Sequence, residues 1–222
     1  MRKFVVAIVC LVLVLLVIDR AGEFIAEREI GTRVQSAYSL SVRPHVTVRG
    51  FPFLTQVASG HYQEIDVSIS QATADGIQVH DIDARFTGVH ASLSLLLGQD
   101  SGSVTADHAT GTALIPFSQV QQRLPKGIKI GPDGSGLRVA GTTAYGSIRG
   151  TARLGVTRSG GITVTPEHLL VAGISAGSLA SHFTFTIPVG VLPLHLTVTG
   201  VHVTSGGLVL AATGRNVEFA SG

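Results

Sequence analysis

The sequence is poor in cysteine, tryptophan and charge, and each shortage argues against a class of protein. One cysteine in 222 residues excludes an internal disulfide scaffold and any zinc site built from cysteines. With no tryptophan and 5% aromatic residues, a stacking platform for sugars or single-stranded nucleic acid is not expected. Charged residues make up 14% of the chain and the formal net charge is +2, so bulk electrostatic binding to nucleic acid is not expected either.

What the chain has instead is apolar residues, at 45%, and one long apolar run at its N-terminus. Arg2 and Lys3 precede the run Phe4–Ile18, which is the arrangement of a secretory signal or a signal anchor. As a helix the run spans about 22 Å, short of a bilayer core of about 30 Å. We predict an uncleaved anchor over residues 1–25, because extending the helix that far gives about 33 Å, with the basic residues inside. A cleaved signal is the alternative, and acylation of Cys10 is a third.

Beyond the anchor the pattern is helical for a short stretch and then becomes that of β-strands. Apolar residues at helical spacing predict a connecting helix over residues 26–38. Apolar and polar residues alternate over Val42–Val48, Ile65–Ile69 and Val89–Leu97, which predicts strands. Between Ile77 and Phe86 the alternation changes phase, which predicts a bulge in a curved sheet.

Glycine and proline mark two helical interruptions and one hairpin. Gly50–Gly60 holds large apolar residues between two glycines, and Ile115–Leu124 has helical spacing next to prolines. Ser205-Gly206-Gly207 separates two short alternating runs, which predicts a hairpin.

Catalytic and metal-binding motifs are almost absent. Gly173–Gly177 matches the G-x-S-x-G nucleophile elbow around Ser175, but an elbow needs a helix after the serine, and then an acid followed by a histidine. After Ser175 the only acid is Glu218, and every later histidine precedes it. No HxxxH or HExxH spacing occurs among the 9 histidines, so neither a metal nor a cofactor is expected.

Basic residues are concentrated in one stretch of the chain. Between Pro116 and Thr165 the only acid is Asp133. The basic residues of this stretch are Arg123, Lys126, Lys129, Arg138, Arg149, Arg153 and Arg158. Such a patch suits anionic head groups, at about 1 kcal/mol per basic residue near a membrane surface. A solvated sheet face without a partner is the alternative.

One block is specific enough to resemble a known family. Residues 48–56 read V-R-G-F-P-F-L-T-Q and are followed by G-x-Y-x-x-I-x-V over residues 60–67. Both resemble the actinobacterial LmeA-type phospholipid-binding family, whose members carry an N-terminal membrane or signal segment, a GFPFLTQ block and then such a strand. Ile115-Pro116-Phe117 and Leu192-Pro193-Leu194 are similar to later family positions, so the resemblance covers most of the chain after Val34.

The resemblance implies an α+β, mostly β fold of the tubular lipid-binding type, preceded by an N-terminal membrane helix. A long curved antiparallel sheet would wrap around helices and an apolar cavity in an extracytoplasmic domain over residues 39–222. It also implies a cell-envelope protein that binds phospholipid, anionic such as phosphatidylinositol, and supports lipoglycan assembly. The partners would be phospholipid, the membrane and envelope glycosyltransferases, with no nucleic acid and no catalysis.

The same interpretation supplies the candidate site residues. A container for acyl chains needs few motifs, because each methylene moved out of water contributes about 0.8 kcal/mol. The apolar candidates for the cavity or its rim are Phe51, Phe53, Leu54, Val57, Phe117, Val120 and Leu124. The head-group candidates are Arg123, Lys126 and Lys129.

Two other functional classes stay open at this point. A solid, non-catalytic scaffold that docks a membrane enzyme fits the same composition, and it would carry no lipid. A serine hydrolase using Ser175 would be inactivated by a serine-directed probe.

Overall fold

The chain is mostly β-structure behind one long N-terminal helix. The computed structural model describes residues 2–74, 76–96, 103–122, 124, 126–143, 146–175, 185–187 and 192–219. The helices of this part are α1 (Arg2–Ala37), α2 (Phe53–Ser59), α3 (Leu93–Leu96) and α4 (Phe117–Gln122). The strands are β1 (His45–Arg49), β2 (His61–Ala74), β3 (Ile77–His90), β4 (Val104–Pro116), β5 (Ile128–Asp133), β6 (Gly136–Thr143), β7 (Gly146–Val156), β8 (Ile162–Val171), β9 (Ile174–Ser175), β10 (Phe185–Ile187), β11 (Thr197–Val203) and β12 (Gly207–Phe219).

The strands form two sheets. One has the order β1-β2-β3-β4-β12-β11, and the other has the order β10-β8-β7-β6-β5 with β9 beside β8. Strand pairing is antiparallel for β1 with β2, for β11 with β12, and along the series β5 to β8. The predicted class, mostly antiparallel β with few helices behind an apolar N-terminal helix, is confirmed.

The chain divides into two compact units. Unit 1 comprises Met1–Ile69, Ala84–Ala109 and Arg215–Gly222, and unit 2 comprises Ser70–Asp83 and Thr110–Gly214. Strands β2, β3, β4 and β12 each continue from one unit into the other. The buried residues of unit 1 include Val46, Val48, Phe53, Tyr62, Ile65, Phe86, Val89 and Val217. The core of unit 2 is the cluster Leu137, Ala152, Val164 and Leu208.

Helix α1 is continuous but has two different environments. Phe4–Ile18 leave their side chains exposed, whereas Asp19, Ala26 and Gly31 are buried. The second half of α1 packs on β1 and α2, and Glu27 Oε1 accepts a hydrogen bond from the Val48 amide at 2.8 Å. The stretch beyond the apolar run, up to Ala37, therefore forms one helix with that run.

The predicted hairpin is found, and an irregular backbone conformation lies where the bulge in β3 is predicted. β11 and β12 pair in the expected register, with Val201 opposite Leu210 and Val203 opposite Leu208. In β3, Asp81 has a left-handed φ of 46°, at the place where the apolar alternation changes phase. A non-glycine residue with left-handed backbone dihedral angles interrupts the regular pleat of a strand.

The strand predicted over Val89–Leu97 is wrong beyond His90, where β3 ends. The Ala91 amide donates to the Gly60 carbonyl at 2.9 Å. Ser92 Oγ then accepts a hydrogen bond from the Leu95 amide at 3.2 Å. A serine that caps an amide three residues ahead starts a helical turn, so the chain enters α3 instead of extending the strand. Leu97 lies outside the described residues.

Candidate functional site

The first candidate region is the corner where α2 packs on α1. Pro52 precedes α2 and provides no side-chain cap. The cap comes instead from α1, because Asp19 Oδ1 accepts a hydrogen bond from the Leu54 amide at 2.8 Å. Phe53 lies against Gly22, whose missing Cβ would be 3.5 Å from the Phe53 ring. A distant side chain therefore satisfies the start of α2 and fixes this helix to the end of the apolar run.

Several residues of the G-F-P-F-L-T-Q block and the strand after it have packing roles. Gly50 has a φ of 107°, and a Cβ there would be 2.9 Å from the side-chain amide of Gln56. Gln56 is buried, and its side-chain oxygen Oε1 accepts a hydrogen bond from the backbone amide of Gln63 at 2.9 Å. Gly60 ends α2 in the left-handed conformation, with φ 65°. Tyr62 is fully buried, and burial raises the pKa of its hydroxyl.

Two apolar residues of the block are exposed instead. Phe51 is 53% exposed and Leu54 is 38% exposed, while Phe53 is buried at 3% and Val57 is half-buried. The Arg20 guanidinium lies 5.2 Å from the centre of the Phe51 ring, within cation–π range. The structure thus divides these four apolar candidates between the core and the surface of unit 1. Their role in a lipid cavity stays a prediction.

The other apolar candidates lie in unit 2. Phe117 and Val120 of α4 pack against the Leu137 cluster, and Leu124 follows this helix half-buried. Gln121 ties α4 to β5, because its Oε1 accepts a hydrogen bond from the Ile130 amide at 3.1 Å. The predicted helical wall therefore exists as a helix on the core of unit 2, and its contact with lipid stays a prediction.

Of the head-group candidates, Lys126 and Lys129 are exposed, and Arg123 lies outside the described residues. Lys129 on β5 is opposite Ala140 on β6, which is opposite Arg149 on β7. Directly opposite residues share a face of the sheet, so Lys129 and Arg149 lie on one face, two strands or about 10 Å apart.

An open pocket of about 700 Å³ lies over strands β6 to β9. Its polar lining includes Arg138, Arg149, Thr151, Glu167, His168 and Ser175, and its apolar lining includes Val139, Ala140, Leu169 and Leu170. The register places Arg138, Thr151 and His168 side by side across three strands. We call this lined depression the basic pocket. Its volume lies within the range of small-ligand sites, although the depression is open to solvent.

The cations around the basic pocket are partly neutralised. Arg138 pairs with Asp133 at 2.7 Å, and Arg153 pairs with Glu167. Within the residues that the structure describes, Arg149 and Lys129 form no ion pair. The face therefore keeps uncompensated positive charge, which suits an anionic group more than a neutral one.

Ser175 lines the basic pocket from within β9, where it pairs with Leu170 of β8. A nucleophile elbow places its serine on a sharp turn between a strand of a parallel sheet and a helix. Ser175 ends a strand of antiparallel pairing instead, and residues 176–184 lie outside the described part of the chain. No group of three or more histidine, cysteine, aspartate or glutamate side chains in the described part of the chain converges as a metal site does.

A second charged group lies on β1 to β3 of unit 1. Asp66 accepts hydrogen bonds from Arg49 Nε at 2.6 Å and from Arg85 Nε at 2.8 Å, and Glu64 lies within 3.4 Å of both arginines. Burial acts to raise the pKa of Asp66, but the hydrogen bonds and charges of the two arginines outweigh it and hold that pKa below its usual value. This group is a structural ion-pair network.

The sequence model of the LmeA-like phospholipid-binding family matches residues 17–213. The chain belongs to this family. The match begins just before Asp19 and includes α2, α4 and the basic pocket, so the phospholipid-binding family is confirmed over nearly the whole chain. No curated protein and no solved structure matched the chain.

Sequence reasoning missed four residues of these regions as site residues. Asp19 and Gln56 are buried polar residues, and nothing local in the sequence marks their partners. Arg149 and His168 share the basic pocket. The signal in the sequence that could have pointed to Arg149 was the concentration of basic residues on the predicted strands. Only the register of β5 to β8 shows which of these residues share a face of the sheet.

Proposed function

We propose that this member of the LmeA-like phospholipid-binding family is a membrane-anchored cell-envelope protein that binds and transfers anionic phospholipid. Helix α1 holds it in the membrane, with the domain over residues 39–222 on the extracytoplasmic side. The head group is held at the basic pocket, and the acyl chains meet apolar side chains. The resemblance extends the proposal to lipoglycan assembly, beside envelope glycosyltransferases, with phosphatidylinositol as the lipid class and no catalytic step.

Anchoring is supported by the shape of α1. This is the one helix of the described chain that is long and apolar enough to cross a membrane, and only 6% of its most apolar window is buried. Its second half carries buried Asp19, Ala26 and Gly31. Cleavage near residue 25 would remove the cap of α2 and the helix surface on which Phe53 packs. Those contacts favour retention of the helix over its removal as a signal.

The preference for an anionic head group is supported by the charge of the basic pocket, and this observation carries the proposal. Arg149 has no carboxylate partner among the described residues, Arg138 keeps further N–H donors beyond its contact with Asp133, and Thr151 and His168 add polar groups. A planar guanidinium binds phosphate through two parallel hydrogen bonds. Leu170, which is directly opposite Arg149 and on the same face of the sheet, would contact the first methylenes.

The test is native mass spectrometry of the full chain released from micelles, after exposure to phosphatidylinositol or to phosphatidylcholine. The wild type should take up more of the anionic lipid. Arg149→Gln should reduce the uptake of phosphatidylinositol more than that of phosphatidylcholine, because the choline cation already balances the phosphate charge of phosphatidylcholine. Arg158→Gln is the matched control, because it removes an exposed arginine outside the basic pocket. Equal effects of the two variants would contradict the assignment of the head group to this pocket.

A further inference from the structure

The apolar surface of the protein does not stop where the apolar run stops. Beyond Ile18, Phe24 and Ile25 on α1 are 63% and 65% exposed. Next to α1, Phe51 and Leu54 are exposed as well. Large apolar side chains exposed together mark an interaction surface rather than an ordinary soluble surface.

Three contacts fix the position of Phe51 and Leu54 along α1. The Leu54 amide bonds to Asp19, a Cβ on Gly22 would be 4.0 Å from Leu54 Cδ2, and the Phe51 ring lies beside Arg20. All three α1 residues follow directly on Ile18. At 1.5 Å of rise per residue, α2 therefore lies within about 6 Å of the end of the apolar run, measured along the helix axis.

The length of the run shows what lies at that level. Phe4–Ile18 covers about 22 Å, but the hydrocarbon core of a bilayer is about 30 Å thick and the head-group layers bring it to about 40–45 Å. A membrane that takes up the whole run must therefore extend beyond Ile18. The exposed Phe24 and Ile25 supply the missing apolar length on α1, and Phe51 and Leu54 lie at the same level beside it.

We propose that α2 lies in the interfacial layer of the bilayer that holds α1, with Phe51 and Leu54 in contact with lipid. This inference rests on the proposed anchoring of α1. It assigns a lipid surface as partner to Phe51 and Leu54, the exposed large apolar residues of the G-F-P-F-L-T-Q block. The Arg20 side chain, 58% exposed and paired with Glu23 at 2.6 Å, lies at the depth of the lipid phosphates, and the Asp19 carboxylate is shielded by α2 from the hydrocarbon.

The absence of tryptophan from the sequence allows single-tryptophan reporters in the full chain. Phe51→Trp and Leu54→Trp report on the proposed surface, and Phe51→Trp keeps an aromatic ring beside Arg20. Val17→Trp, at a site 69% exposed in the run, reports on anchoring. Tyr38→Trp is the matched control: the site is 59% exposed and about 28 Å beyond Asp19 along the helix axis.

Each variant is reconstituted into vesicles of phosphatidylcholine and phosphatidylglycerol that contain a dibrominated phosphatidylcholine. The bromines are placed near either the glycerol end or the methyl end of the acyl chain. Phe51→Trp and Leu54→Trp should be quenched more by the glycerol-end bromines and protected from aqueous iodide. Tyr38→Trp should be quenched by iodide alone.

The outcomes separate this inference from the anchoring on which it rests. If Val17→Trp is quenched by brominated lipid but Phe51→Trp and Leu54→Trp respond only to iodide, α2 is in water and the inference is wrong while the anchor stands. If both reporters resist iodide and brominated lipid alike, protein covers them, such as a second copy of the chain, and the inference is again wrong. If Val17→Trp is not quenched by lipid, both the anchor and the inference fail.

Discussion

Removing the Asp19 carboxylate should release α2 from α1, because α2 has no cap of its own. Asp19→Ala removes the carboxylate oxygen that accepts the hydrogen bond of the Leu54 backbone amide at 2.8 Å. Asp19 is only 3% exposed, so water does not readily replace this acceptor. Loss of a cap costs about 0.5–2 kcal/mol and an unsatisfied amide about 1–3 kcal/mol. Part of this is offset, because Asp19 Oδ2 is itself buried with no hydrogen-bond partner among the described residues. The net loss should be about 1–2 kcal/mol, or a 5- to 30-fold shift in the local opening equilibrium.

Hydrogen–deuterium exchange of the full chain in nanodiscs measures this opening at peptides that cover residues 50–60. Asp19→Asn keeps an acceptor oxygen and should restore most of the protection. Glu29→Ala is the control, because Glu29 is on the same helix in an exposed pair with Arg33 at 3.2 Å, and such pairs contribute only about 0.3–0.5 kcal/mol. Equal exchange of α2 in Asp19→Ala and Glu29→Ala would refute the reasoning.

Three further predictions concern stability measured by thermal unfolding of the full chain. Tyr62→Phe removes a buried hydroxyl that has no partner among the described residues, so the substitution should leave stability unchanged or raise it. It should also weaken the loss of stability above about pH 10, where Tyr62 titrates in the unfolded chain. A large loss of stability at neutral pH would contradict this prediction. Asp66→Asn should lower the stability of the protein at pH 7. The difference in stability between wild type and variant should disappear as the pH falls through the lowered pKa of Asp66, which lies below the unfolded value of about 3.9. A difference in stability that persists in acid would disprove the ion-pair contribution. Gly22→Ala should stabilise the protein by up to about 1 kcal/mol through helix propensity, because the new Cβ would lie at an ordinary contact distance of 3.5 Å from Phe53. Gly31→Ala should gain nothing, because its Cβ would be only 3.0 Å from the Pro44 carbonyl. Equal shifts of the melting temperature in the two variants would contradict the packing.

Much of the fold could be predicted from the sequence because local signals agreed with the global structure. The hairpin of β11 and β12 followed from Ser205-Gly206-Gly207, and α2 followed from an apolar segment between two glycines. The strand predicted through Val89–Leu97 failed because the Ser-Leu alternation matches a pleat, while Ser92 Oγ actually caps the Leu95 amide. One capping hydrogen bond outweighed the alternation.

The candidate site could be predicted only in part, because its residues meet through long-range register. Lys129 and Arg149 are far apart in sequence, and they share a face only because both are opposite Ala140. The hydrogen bond between Asp19 and the Leu54 amide joins residues 35 positions apart, and no periodic pattern in the sequence predicts it. Apolar residues such as Phe51 and Phe53 look alike in sequence, but one is exposed and the other is buried.

The central claim, that this chain is a phospholipid-binding protein, is tested most directly by native mass spectrometry of the full chain with parallel lipid extraction. The account predicts a stoichiometric phospholipid adduct that exchanges when the protein is incubated with vesicles of a different phospholipid. A clean apo mass that stays unchanged after incubation with anionic vesicles would contradict the account and favour a scaffold that docks another protein.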